Sequence, residues 1–137
     1  MSTQTEARQS QSRLRARIIP VVGAVLAAVI VWAASVPILG HTPVAQPNAD
    51  TVMEITLPAV VVAALVGSLA GWVALAVVER FARRARAVWI VGAAVVLVAS
   101  LAMPISAGDT TGDVVALALM HVAVAAVLIP GLSRTTR

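Results

Sequence analysis

Residues 79–87 read Glu-Arg-Phe-Ala-Arg-Arg-Ala-Arg-Ala, and this stretch decides how the chain folds. It packs Arg80, Arg83, Arg84 and Arg86 into the middle of a 137-residue chain that is 60% hydrophobic and 12% charged. On either side, residues 18–79 and 87–133 contain no Lys or Arg. Each of these gaps is too long and too apolar for one membrane crossing, and each fits two. The remaining cations are Arg8, Arg13, Arg15 and Arg17 before the first gap and Arg134 and Arg137 after the second. The chain therefore returns three times to one face of a bilayer, and the concentration of arginine marks that face as cytoplasmic.

Composition agrees. A soluble domain is about half apolar and about a quarter charged, whereas mean hydropathy here is +0.96. The net charge of +4 does not indicate nucleic acid, because the arginines flank apolar spans and no aromatic residues are interleaved with them. Anionic headgroups of the inner leaflet are the fitting counter-charge, which assigns Arg80, Arg83, Arg84 and Arg86 to lipid contact. There is no cysteine, which removes disulfides, thiol redox chemistry and cysteine-ligated metals. Arginine without lysine, with heavy use of Ala and Val, points to a GC-rich bacterial genome and so to the bacterial cytoplasmic membrane.

Working outward from the arginine block, the sequence predicts an all-α integral membrane four-helix bundle with both termini in the cytoplasm. Residues 1–17 are polar and lack an apolar stripe, and are expected to be a disordered basic tail. The spans are expected at 18–39, 57–78, 88–105 and 114–130, with 134–137 as a short inner tail. The first, 22 residues or about 33 Å as a helix, is long enough to cross and too long for the apolar region of a cleavable signal peptide. Residues 40–56 carry Gly40, Pro43, Pro47 and Asn48, all turn formers, and form an outer loop. Ser106 to Asp113 forms the second outer loop. Phe81 and Trp89 fit an aromatic belt at the inner interface. Val22-Gly23-Ala24 is echoed by Val91-Gly92-Ala93, and Val62-Ala63-Ala64 by Val124-Ala125-Ala126, a pattern that reads as two hairpins in a parallel repeat.

Three groups of residues are candidates for function. Ala59, Ala63, Gly67 and Gly71 recur every four residues along the second span and form a small-residue face for helix packing, within the chain or with a second copy or partner subunit. His121 lies about 10 Å into the fourth span, where an ionisable side chain is costly. It is either a ligand or proton-relay group or a neutral imidazole bonded to a carbonyl or to Ser35, Ser68 or Ser100 on a neighbouring helix. His41, Asp50, Glu54, Asp109, Asp113 and His121 all lie on, or open toward, the outer side. Carboxylates with histidine would suit a divalent metal. No local metal-binding spacing is present, however, and no spacing names a cofactor. Asp113 is equally an N-cap for the fourth span, with Thr110 or Thr111 as substitutes. Glu79 is placed to pair with Arg83 one turn on.

No phosphate-binding loop, nucleophile elbow or catalytic triad spacing is present. No acid lies within a span, unlike the small proton-coupled multidrug exporters, which carry a glutamate in the first. The arginine-rich start, the Gly40-His41-Thr42-Pro43 stretch, the outer-loop acids and His121 together resemble the small four-helix actinobacterial membrane proteins grouped as domains of unknown function. That resemblance implies a fold and a location and no activity. The leading expectation is a non-enzymatic accessory or self-associating tetraspan component. The alternative is an outward-facing ligand, metal or redox site around His121, and a small transporter is the weaker third.

Overall fold

The computed structural model describes residues 2–136, with side chains from Glu6 to Thr136. Arg137, the last expected inner arginine, lies outside the described residues. The element order is α1 (Ser2–Leu39), β1 (Val44–Asn48), β2 (Thr51–Glu54), α2 (Leu57–Phe81), α3 (Ala85–Ser100), α4 (Ala102–Ala107) and α5 (Thr111–Ser133). Four helical stretches are long and apolar enough to cross a membrane: Glu6–Leu39, Leu57–Phe81, Ala85–Ala107 and Thr111–Ser133. This is a multi-pass membrane protein whose apolar helix faces contact lipid.

The structure differs from the sequence expectation at three places. First, the segment expected as a disordered tail is helical, so α1 is continuous from Ser2. Residues 6–16 are nonetheless fully turned to the outside. The helix simply runs on from the membrane because nothing between 2 and 17 breaks it. Pro20 and Pro37 sit inside α1, a placement membrane helices tolerate when neighbours re-satisfy the freed carbonyls. Gly40, at φ 74°, stops the helix in the left-handed conformation that favours glycine. Second, the loop between the first two spans contains an antiparallel hairpin, pairing Val44 with Glu54, Ala45 with Met53 and Asn48 with Thr51. The fold is therefore not purely α-helical. Pro47 has no N–H to pair, and the register slips between Ala45 and Asn48, around it. Third, the third span is broken at Leu101 into α3 and α4. Pro104 cannot donate to the Ser100 carbonyl four residues back, and its ring crowds that carbonyl.

Packing centres on α1, which runs between α2 and α5. One core layer joins Val21, Ala24, Leu75, Trp89, Leu128 and Leu132, and a second joins Ala28, Val60, Ala64 and Met120. At the arginine-bearing end of the bundle Gly131 lets α5 close on Pro20, whose Cβ occupies the space a side chain would need. Arg17 donates to Glu79 at 2.6 Å, tying α1 to α2, with both side chains mostly buried. Glu79 is thus paired across helices and not with Arg83, because α2 ends at Phe81 and Arg83 lies beyond the helix. Trp89 turns inward and donates to the Ile129 carbonyl at 3.2 Å. It is a core residue and not part of an interfacial belt. Phe81 alone is turned outward.

Candidate functional site

The small-residue face of α2 meets no partner helix along most of its length. Ala59, Ala63 and Gly67 are turned outward, and a Cβ placed on Gly67 would have nothing within 4 Å. Only Gly71 is packed, with Leu128 Cδ2 at 3.1 Å and Trp89 Cη2 at 3.4 Å from such a Cβ. The reason is geometric. Residues 60, 64, 68 and 75 form the buried side of α2, so the 59–63–67 stripe, about a quarter turn away, looks past α1 and α5 toward α3.

There it forms one wall of an apolar cleft of about 850 Å³. Gly92, Val96 and Ser100 of α3 form the opposite wall, and Leu117, His121 and Val124 of α5 the floor. A volume of this size falls in the usual range for a ligand cavity. At one end the cleft is roofed by Ala45 of the hairpin, by Ile55 just after it, and by Pro104 and Ala107 of α4. The roof is fastened in place. Ala45 pairs with Gly108, and the Trp32 indole donates to the Ile55 carbonyl at 2.6 Å. At the other end the walls are Val78 and Val88, joined by residues 82–84. The α3 wall was not singled out in the sequence. Its signal was there in Val88, Gly92, Val96 and Ser100, spaced by four like the stripe on α2.

His121 lies midway along the cleft. Ten residues from the start of α5, it is about 15 Å deep, level with Gly67 on α2. Its Nδ1 is 2.8 Å from the Leu117 carbonyl on the same helix. A carbonyl only accepts, so Nδ1 carries a proton in this bond, and in the neutral ring Nε2 is the acceptor. The bond runs within α5 and not to a neighbouring helix. Ser35 and Ser100 donate to the carbonyls of Trp32 and Leu97, and Ser68 Oγ is buried without a partner.

The acids expected on the outer side are arranged differently from a converging site. Asp113 is fully buried. Its Oδ1 accepts from the Val44 N–H at 3.0 Å and lies 3.3 Å from His41 Nε2. Its Oδ2 accepts from the Thr110 N–H at 3.1 Å and hydroxyl at 2.6 Å. Thr110 in turn caps α5 by accepting from the Asp113 N–H at 3.2 Å. Thr110 is thus the N-cap and Asp113 the third residue of a capping box. Asp109 accepts from Gln46 at 2.7 Å. Asp50 and Glu54 are exposed on the hairpin. Among the described residues no three His, Cys, Asp or Glu side chains lie together as a metal would require. At the other end, Arg83, Arg84 and Arg86 are exposed. Arg80 lies on the opposite face of α2, beside Leu69, Trp72 and Val73.

No curated protein and no solved structure matches the chain. The model of one family matches residues 8–137. The chain belongs to that family, described as a family of unknown function (DUF6069).

Proposed function

We propose that this protein is a non-enzymatic component that works by association within the bilayer, through the cleft between α2 and α3. One observation carries the reading: the small-residue stripe of α2 is left open at Gly67, facing a glycine-bearing wall on α3. Within a membrane, small residues allow close approach because lipid offers no hydrophobic drive between apolar surfaces. An open stripe is therefore a surface for something other than the chain's own helices. The orientation that goes with this reading has both termini in the cytoplasm, so the hairpin roof is outside and the open end of the cleft inside.

A second reading is favoured by His121, which lines the same cleft and in its neutral form has Nε2 as an acceptor. It would make the cleft a site for a small apolar ligand bearing one donor group. The outer acids do not support a site of their own, since Asp113 and Asp109 are already engaged with the hairpin.

The test uses the absence of native cysteine. Gly67→Cys and Val66→Cys place thiols on adjacent faces of α2, the second 61% exposed. In native membranes a lipid-soluble maleimide should alkylate Gly67→Cys several-fold more slowly than Val66→Cys, and detergent should abolish the difference. Equal rates in both settings would refute association through the cleft.

A further inference from the structure

The cleft runs from Ala59 to Val78 along α2, roughly 28 Å at the helical rise. That is about the thickness of the hydrocarbon core, so the chain of a lipid from one leaflet, about half as long, reaches from Val78 to the level of Gly67. The lining is apolar apart from Ser100, His121 and the Trp89 indole, which suits a hydrocarbon chain.

The two ends differ. The outer end is closed by the hairpin and α4, while the inner end leads to the connection carrying Arg83 and Arg84, followed by Arg86 in the first turn of α3. Arg84 lies one turn below Val88, whose N–H bonds its carbonyl at 3.1 Å. None of these three arginines is paired with an acid among the described residues. The nearest acid in the chain, Glu79, is held by Arg17. The first turn of α3 has no side-chain cap and no acid, so its free N–H groups add to the positive field at the same place.

We propose that the cleft holds a hydrocarbon chain of an anionic phospholipid from the inner leaflet, with the phosphate on Arg84 and its neighbours Arg83 and Arg86. This rests on the cleft being the association surface, and it names the occupant. Guanidinium groups bind phosphate oxygens in pairs. The chain gains no hydrophobic energy by leaving one apolar medium for another. Selectivity therefore resides in the headgroup, while the cleft fixes where the lipid sits.

The full chain would be reconstituted in nanodiscs of equal parts phosphatidylglycerol and phosphatidylcholine, released, and weighed by native mass spectrometry. One retained lipid per chain is expected, phosphatidylglycerol favoured by roughly tenfold or more, on the order of fivefold per engaged arginine. Arg84→Gln with Arg86→Gln should bring the two lipids to near parity. Arg84→Lys with Arg86→Lys should keep most of the preference, and Arg13→Gln with Arg15→Gln should leave it unchanged. Gly67→Trp, or Gly92→Leu on the opposite wall, should expel the lipid, while Val66→Trp should not. Circular dichroism would verify that each variant keeps its helices.

Equal retention of both lipids by the unaltered chain overturns the proposal, as does an equal loss on removing Arg13 and Arg15. Retention of phosphatidylglycerol after both cleft-filling changes also overturns it, because the arginines would then bind lipid without the cleft. Displacement of the lipid by glycerol phosphate alone would have the same meaning. If a second copy is expelled by Gly67→Trp in place of a lipid, the lipid assignment fails while association through the cleft stands.

Discussion

Asp113 shows how a residue with the look of a site can be a fastening. It is fully buried and uses both oxygens. Oδ2 serves the start of its own helix and Oδ1 serves Val44, 69 residues away. Asparagine at this position would present an amide N–H₂ to one of these donors, leaving a buried N–H without an acceptor, at a cost of about 2 kcal/mol. Thr110→Ala removes only the cap and should cost about 1 kcal/mol. Asp113→Asn is therefore expected to lower the apparent thermal midpoint in detergent more than Thr110→Ala does. The reverse order would mean that the link to Val44 contributes little. Read from sequence, Asp113 is itself the N-cap, whereas in the structure Thr110 is the cap and Asp113 the third residue, a spacing that a capping-box pattern would have caught. The bond to Val44 was not legible, because it depends on how an outer loop folds over the helix end. Arg17 and Glu79 are a similar case. The sequence placed both on the inner side, but only the packing of α1 on α2 could pair them.

At the scale of elements, the spans were legible and their interruptions were not. Long apolar runs bounded by arginine, Gly and Pro can do little in a bilayer except form helices. Residues 44–54 carried no such constraint. Val-Ala-Gln-Pro-Asn reads as a turn-rich loop, and its strand character comes from partners: Met53 on one side of Ala45 and Gly108 on the other. Ala45 is 3% exposed, while Ala49, in the hairpin turn, is exposed. An aspartate at Ala45 would bury an unpaired charge under the roof, whereas one at Ala49 would sit in water. Ala45→Asp is thus expected to open the hairpin, seen as rapid protease cleavage within residues 40–56, with Ala49→Asp cleaved as slowly as the unaltered chain. Equal cleavage of both would mean that the hairpin is held by Trp32 and Asp113 alone and not by the strand pairing.

At the scale of the whole molecule, each end of the bundle has one chemical character. Arg17 meets Glu79 and Pro20 meets Gly131 at one end, which gathers Arg17, Arg80, Arg83, Arg84, Arg86 and Arg134 there. His41, Gln46, Asp109 and Asp113 meet at the other. The sequence anticipated this division from arginine spacing alone, because even numbers of crossings must return each block to the same side. What it could not anticipate is the cleft, since a small-residue stripe reads alike whether a helix covers it or not. The division also fixes a sign. Translocating the arginine end would carry its cations across the membrane, against both the inner surface charge and the membrane potential. That end should therefore stay in the cytoplasm, and the hairpin should face out. Single cysteines again provide the measurement. With intact cells and an impermeant maleimide, Asn48→Cys in the hairpin should label at once, and Ser10→Cys only after permeabilisation. The opposite pattern would invert the molecule and put the open end of the cleft, with Arg84, at the outer leaflet. A mixed population in which both label without permeabilisation would mean that six arginines on one end do not suffice to set orientation. In that case removing Arg83, Arg84 and Arg86 should leave the mixture unchanged, whereas in the expected orientation it should weaken the bias of the second hairpin first, because α2 and α3 have no other cation near their inner ends but Arg80.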